Sequence, residues 1–231
     1  MRETLANLLA PRTCVGCGIE GSWCCVTCIE HIAWDPNTIC AGCERLSPNG
    51  TTCERCRPDM VFRGAIVAAT YDDPNVQQLI RFVKYAPAYD IAGAFVPLIT
   101  HTVHSEAGRA LREALGENAR IIPVPLHPRR LRERGFNQAS CIAHALAEQG
   151  FGAVREDVLR RTRFGAPQAR KSRDARRQSM DGVFAASPDI AGATVLLVDD
   201  VITTGVTMSA AARTLRDAGA TTIHAFAIAR G

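Results

Sequence analysis

Apolar positions along this chain follow two periods. Residues 64–71 (GAIVAATY), 121–124, 195–198 and 222–229 are short, apolar-rich runs, and residues 183–184 begin another. Runs of this length read as strands buried on both faces of a sheet. Between them the spacing lengthens to three and four. Residues 75–85 place Val76, Leu79, Ile80 and Val83 on one side of a helix. Residues 91–103 continue as an apolar helical stretch, and residues 109–115 extend it or form a second helix. Residues 139–149 and 208–218 predict two more, the last closing at Gly219. Strands that alternate with helices in this way predict an α/β fold, a mostly parallel sheet flanked by helices. The segment PLHPRRLRERGFNQ (residues 125–138) reads as a loop, and residues 164–177 as a mobile charged loop.

The pattern is different before residue 61. Nine of the ten cysteines fall between Cys14 and Cys56, eight of them as Cys14-x2-Cys17, Cys25-x2-Cys28, Cys40-x2-Cys43 and Cys53-x2-Cys56. A two-residue gap lets both thiolates of a knuckle reach one tetrahedral ion, and two knuckles complete a four-cysteine site. Four knuckles therefore predict a double zinc ribbon with two structural Zn²⁺ sites. Neighbouring knuckles pair in the simplest assignment, and an interleaved pairing stays open. Cys24 adjoins the second knuckle, where the spacing favours Cys25. Cys141 lies far from the cluster, in a helical pattern, as a small hydrophobe. The expected organisation is a cysteine-rich module over residues 1–60, led by an amphipathic turn at Leu5, Leu8 and Leu9, and an α/β domain over residues 61–231.

Charge is distributed unevenly. Residues 129–177 hold thirteen Lys or Arg against five Asp or Glu, whereas the first sixty residues hold five against seven. The positive stretch suits a polyphosphate or a nucleic acid. No apolar run approaches the ~18–20 residues of a membrane span, and no secretory signal is visible, so the expectation is a cytoplasmic protein.

Residues 195–207, VLLVDDVITTGVT, carry the strongest chemical signal. Four apolar residues deliver Asp199 and Asp200 to the carboxyl end of a strand, where open α/β sheets place ligands. Thr203, Thr204, Gly205 and Thr207 then form a turn at a helix N-terminus, rich in hydroxyls and N–H groups, which suits a phosphate monoester. The carboxylates beside it can accept from vicinal hydroxyls. The segment offers a grip on a ribose and on its 5-phosphate. No GxxxxGK[ST] segment supports ATP hydrolysis by a P-loop.

The same residues resemble the phosphoribosyl-pyrophosphate (PRPP) motif of type I phosphoribosyltransferases. That resemblance assigns Asp199 and Asp200 to the ribose hydroxyls, as the catalytic acids, and Thr203, Thr204, Gly205 and Thr207 to the 5-phosphate. Together with the four knuckles, PVPL and RGFNQ, the chain resembles the ComF family, which joins a double zinc ribbon to a type I phosphoribosyltransferase-like domain. The resemblance implies PRPP with Mg²⁺ as ligand. It places a cationic clamp at Arg129, Arg130, Arg132 and especially Arg134, with Lys84 as a further contact, because negative charge grows on the departing pyrophosphate. It also places Gln168, Arg173 and Arg177 in a loop that closes over ligand. Ser179 stands where relatives carry Asn.

Two functions follow as expectations. One is Mg²⁺-dependent transfer of phosphoribose to an amine or nucleobase. The other is nucleic-acid handling in DNA uptake, in which the zinc module and residues 129–177 contact single- or double-stranded DNA or a helicase-type partner and the PRPP site is regulatory. Trp23 and Trp34 are the module's main candidates for stacking on bases.

Overall fold

A computed structural model of the chain describes residues 11–34, 40, 45, 47–57, 60–83, 91–163, 182–203 and 205–231. In chain order the elements are α1 (Val26–Glu30), β1 (Gly64–Thr70), α2 (Pro74–Val83), α3 (Ile91–His104), α4 (Glu106–Leu115), β2 (Arg120–Pro123), α5 (Pro128–Arg134), α6 (Gln138–Glu148), β3 (Ala153–Val154), β4 (Leu159–Arg161), β5 (Phe184–Ala186), β6 (Thr194–Ile202), α7 (Val206–Asp217) and β7 (Thr222–Arg230). Five strands form one sheet in the order β1-β7-β6-β2-β3. Every pairing in it is parallel. The mostly parallel α/β sheet that the apolar pattern predicts is therefore present.

The pleat of β6 explains how both faces are filled. Successive side chains of a strand point to opposite sides. Val195 and Leu197 pack with Met208, Ala211 and Leu215 of α7, while Leu196 and Val198 pack with Ile142, Ala143 and Leu146 of α6. Burying a side chain of this size contributes about 1.5–3 kcal/mol. A polar substitution at either parity would thus cost one whole layer its contact.

Three local features were not settled by the apolar pattern. The loop before Asn137 contains α5, which Pro128 opens at its first turn and Gly135 closes in the left-handed region (φ 79). Its charged residues carry no apolar stripe, so periodicity could not disclose it. The apolar stretch after residue 91 is broken at Ser105, whose Oγ accepts from the Gly108 N–H at 3.2 Å and so caps a separate α4. Finally, β3 and β4 have two and three residues, too few to show any period.

The cysteine-rich segment lies along β1, an edge strand of the sheet. Thr51 bridges Gly64 at one end of that strand, and Trp34 bridges Ala69 at the other. Asp73 joins the two parts. Its Oδ2 accepts from the Ala33 N–H at 2.8 Å, and its Oδ1 accepts from the N–H groups of Asn75 and Val76 at the start of α2. Trp23 packs on Phe82 of α2 with ring centroids 4.0 Å apart, and Trp34 stacks on His101 of α3 at 3.7 Å. Trp23 and Trp34, the module's main aromatic candidates for stacking on bases, are engaged inside the chain. Cys24 and Ile32 share one apolar cluster with Ile66, Leu79, Ile80 and Phe95, so the core runs through both parts.

His224 adds a pH dependence. It lies buried on β7 beside Gly64 and Leu196. Burial, then the nearby Arg63 charge, pushes its imidazole down to about 4. The unfolded chain binds this proton near pH 6.5, so the fold loses stability as pH falls from there towards pH 4. The loss amounts to about 3 kcal/mol. Denaturant unfolding of wild type and His224→Asn is expected to show a difference that shrinks by that amount across this window. A gap that stays constant with pH would refute the assignment.

Candidate functional site

The carboxyl ends of β2 and β6 lie side by side, with Pro123 paired to Val198. The chain leaves β2 towards β3 on one side and leaves β6 towards β7 on the other. The crevice between them is therefore the switch point of the sheet, the place where open α/β folds bind ligands. Asp199 and Asp200 stand there, both half-buried, within β6. The Asp200 N–H donates to Asp199 Oδ1 and the Val201 N–H donates to Asp200 Oδ1, each at 2.9 Å. Although solvent still reaches part of Asp199, dense surroundings and then the Asp200 charge hold its carboxyl well above the usual range, and Arg161 opposes that shift.

The turn after the acids is short. Thr203 is exposed, and Gly205 adopts the left-handed region (φ 67) as it opens α7. A side chain there would be strained. No side chain caps the first turn of this 12-residue helix, and Thr207 lies half-buried on it. Thr204 lies outside the described residues, as do Lys84, Gln168, Arg173, Arg177 and Ser179.

PVPL and RGFNQ, separate in sequence, form one unit. Val124 N–H donates to Val198 O at 2.8 Å, tying the segment to β6. Asn137 Nδ2 donates to Val124 O at 3.1 Å while its Oδ1 accepts from the Ala139 N–H at 3.2 Å, so one side chain closes the loop and caps α6. His127 has a positional part, since its Nδ1 accepts from the Arg129 N–H at 3.2 Å. The four arginines of α5 divide by face. Arg129 pairs with Glu133 at 3.0 Å on the exposed side, and Arg132 is exposed as well. Arg130 and Arg134, one turn apart and half-buried, share the other face. A cavity of about 350 Å³ opens beside this loop between Pro125, Phe136, Cys141 and Glu156, and neither Asp199 nor Asp200 lines it. Burial and then Glu156 push the Cys141 thiol up.

Arg161, at the end of β4, joins the site without having been singled out by sequence. Its charge is felt at Asp199, and Arg130 and Asp199 are both felt at Arg161. It sits within a run of arginines, Arg160, Arg161 and Arg163, that gives no reason to prefer one. The alternation of β4, with Leu159 inward and Arg160 outward, is the signal that separates it.

Sulfur atoms of Cys14, Cys17, Cys25 and Cys28 all lie within 4.8 Å of one another, and those of Cys40, Cys53 and Cys56 form a second such group. Tetrahedral zinc with Zn–S bonds of about 2.3 Å needs sulfurs roughly 3.8 Å apart, and Cys17 and Cys25 are 3.6 Å apart. The two groups follow neighbouring knuckles. Cys43 lies outside the described residues. Although burial opposes it, N–H groups of Cys25, Cys17 and Gly16 lower the Cys14 thiol to about 6. The Cys28 thiol is pushed up by hydrogen bonding to the Cys14 and Cys25 sulfurs. A cation is what allows four such groups to ionise together. Cys24 points into the apolar core instead, and burial, then the charges of Cys14 and Cys25, raises it to about 12.

Residues 134–231 match the family model of the phosphoribosyl transferase domain. The chain is also 28% identical over 229 residues to the DNA utilization protein YhgH of Escherichia coli O157:H7, covering 96% of this chain and 99% of that protein. Competence protein F of Haemophilus influenzae is 25% identical over 224 residues, covering 89% and 96%. Competence protein ComFC of Bacillus subtilis is 26% identical over 215 residues, covering 89% and 83%. These likenesses support the ComF family. In this chain the phosphoribosyl transferase match takes in α6 to β7 with the acid pair, and the cysteine groups precede it. Among the described residues, no helix is long and apolar enough to cross a membrane.

Proposed function

We propose that this chain binds PRPP with Mg²⁺ at the switch point and transfers its phosphoribosyl group to an amine or a nucleobase. One observation carries the reading. An acid pair at the carboxyl end of β6 is followed by an uncapped helix N-terminus, and half-buried arginines follow β2, the neighbouring strand. The acids suit vicinal ribose hydroxyls. The first turn of α7, with Thr203 and Thr207, suits the 5-phosphate. The α5 face carrying Arg130 and Arg134 suits the leaving pyrophosphate, where charge accumulates as the anomeric C–O bond breaks. Hard oxygen donors at Asp199 and Asp200 fit Mg²⁺ arriving with the substrate, and such an ion would supply neutralisation of diphosphate charge.

The names of relatives, DNA utilization and competence proteins, support a DNA-related setting. The basic sequence of residues 129–177 suits DNA phosphates. The zinc module then serves chiefly to hold β1, α2 and α3, since its tryptophans are occupied there.

The test is ³¹P NMR of zinc-loaded protein with Mg²⁺ and PRPP, with and without ammonia and a pool of nucleobases. Acceptor-dependent pyrophosphate is the expected result. PRPP signals that broaden without pyrophosphate would reduce the site to a sensor. Unchanged PRPP signals, beside DNA binding that weakens steeply with salt, would favour nucleic-acid handling.

A further inference from the structure

We infer that the hollow beside the RGFNQ loop is a second binding site, for a planar heterocycle that carries an amino group, the chemistry of adenine or cytosine. It is separate from the acid-pair crevice and stands whether or not PRPP binds there.

The hollow lies on the far side of β2. The acids stand where the ends of β6 and β2 meet, whereas this cavity of about 350 Å³ opens between the ends of β2 and β3. Pro123 and Pro125 border it from β2 and the segment after it. Glu156 borders it from the other side, directly after the Arg155 N–H donates to Ile121 O at 2.9 Å. The walls are fixed before any ligand arrives. Asn137 ties the loop to both Val124 and the start of α6, and Gly135 closes α5 above it. His144 Nε2 donates to Glu156 Oε1 at 3.1 Å and joins α6 to the end of β3. The size falls within the ~300–1,000 Å³ of small-ligand sites.

Its two walls differ in kind. Pro123, Pro125, Leu126, Leu131 and Phe136 make one of them apolar. Leu131 is 42% exposed there, so this wall meets water when the hollow is empty. Three of the five are ring side chains, which a flat ligand covers well. The opposite wall is polar. Asn137, Ser140, Cys141 and His144, spaced by three and four residues, share one side of α6, and Glu156 completes it. The core takes Ile142, Ala143 and Leu146 of the same helix instead. The polar side is thus not needed for packing.

Charge narrows the ligand. No Lys or Arg lines the hollow, and Glu156 supplies a negative charge at its rim. A phosphate or carboxylate would meet that charge with no cation to offset it. The Cys141 thiol stays protonated, since burial and then Glu156 push it up. Among the described residues, the second Glu156 oxygen and the Ser140 hydroxyl have no hydrogen-bond partner. A ligand that meets both needs an N–H donor for the carboxylate and an acceptor for the hydroxyl, on a flat apolar frame. An amino group beside a ring nitrogen has that pair of functions.

Calorimetric titration of the zinc-loaded full chain with adenosine and with purine riboside, which lacks only the amino group, tests this. Adenosine is expected to bind, and purine riboside to bind at least about 10-fold more weakly, the scale of one hydrogen bond to a charged group. Glu156→Gln should weaken adenosine by a similar factor. Asp199→Asn/Asp200→Asn should bind adenosine as wild type does. In wild type, the ring resonances of Phe136 and His144 should shift on addition of adenosine, a readout that does not depend on any variant folding. Equal affinity for the two nucleosides, no binding of adenosine at millimolar concentration, or unmoved Phe136 and His144 signals would overturn the inference. So would loss of adenosine binding in the Asp199→Asn/Asp200→Asn protein, which would move the nucleoside to the acid-pair crevice. PRPP titrated alone reads the other site independently of all these outcomes.

Discussion

Cys14→Ser is expected to lower the thermal midpoint by about 10–20 °C and to release one of two bound zinc ions. Residues 11–34 carry a single short helix, and their order depends on the four sulfurs that meet there. Zinc binding to a structural site is worth about 10–16 kcal/mol of folding free energy in small ribbons. Losing roughly a third to a half of that would move the midpoint of a chain this size by the stated amount, at about 2–4 °C per kcal/mol. The damage should spread. Trp23 would leave Phe82, Trp34 would leave His101, and Asp73 would lose the Ala33 N–H while still capping α2. Scanning calorimetry together with metal analysis checks both halves of the claim. A variant that keeps two zinc ions and the wild-type midpoint would show that the sulfurs meet for another reason.

Asp199→Asn/Asp200→Asn should act in opposite directions on binding and on stability. Each carboxylate that accepts from a ribose hydroxyl contributes about 1.5–3 kcal/mol, so PRPP affinity should fall by about 100-fold or more. The ligand-free protein should become more heat-stable. Asp199 has a raised carboxyl, so the fold favours its protonated form, and stability falls as pH rises from the ordinary carboxylate range through the folded value. At neutral pH an amide relieves both the burial of charge and the repulsion from Asp200. Sites built for ligands often carry such a cost. Thermal midpoints with and without PRPP separate the effects. A fall in both affinity and ligand-free stability would mean that the pair supports the fold and is not held against it.

Much of this could be read from residues alone, for reasons that differ from place to place. The strands of the sheet interior were legible because burial on both faces demands unbroken apolar runs, as in Val195 to Val198. The acid pair was legible because polar residues at the end of such a run have few structural uses. The α5 helix was not, since its sequence PRRLRER has a single large apolar residue and its ends are set by His127, Pro128 and Gly135. Arg161 was hidden for a related reason. Charge in a basic stretch says nothing about direction, and only the pairing of β4 with β5 turns one arginine inward. The engagement of Trp23 and Trp34 with α2 and α3 was equally out of reach, because contacts across 59 and 67 residues leave no local trace.

The bridges at Thr51 and Trp34 have a consequence for how the chain behaves in solution. They cover an edge strand whose sequence, GAIVAAT, is uncharged and free of proline. An exposed edge of that kind templates strand addition from a second molecule. Metal loss therefore threatens more than local order: it uncovers a self-complementary edge, and zinc-depleted protein should scatter light before its helices melt. The ribbon, on this view, keeps the protein dispersed.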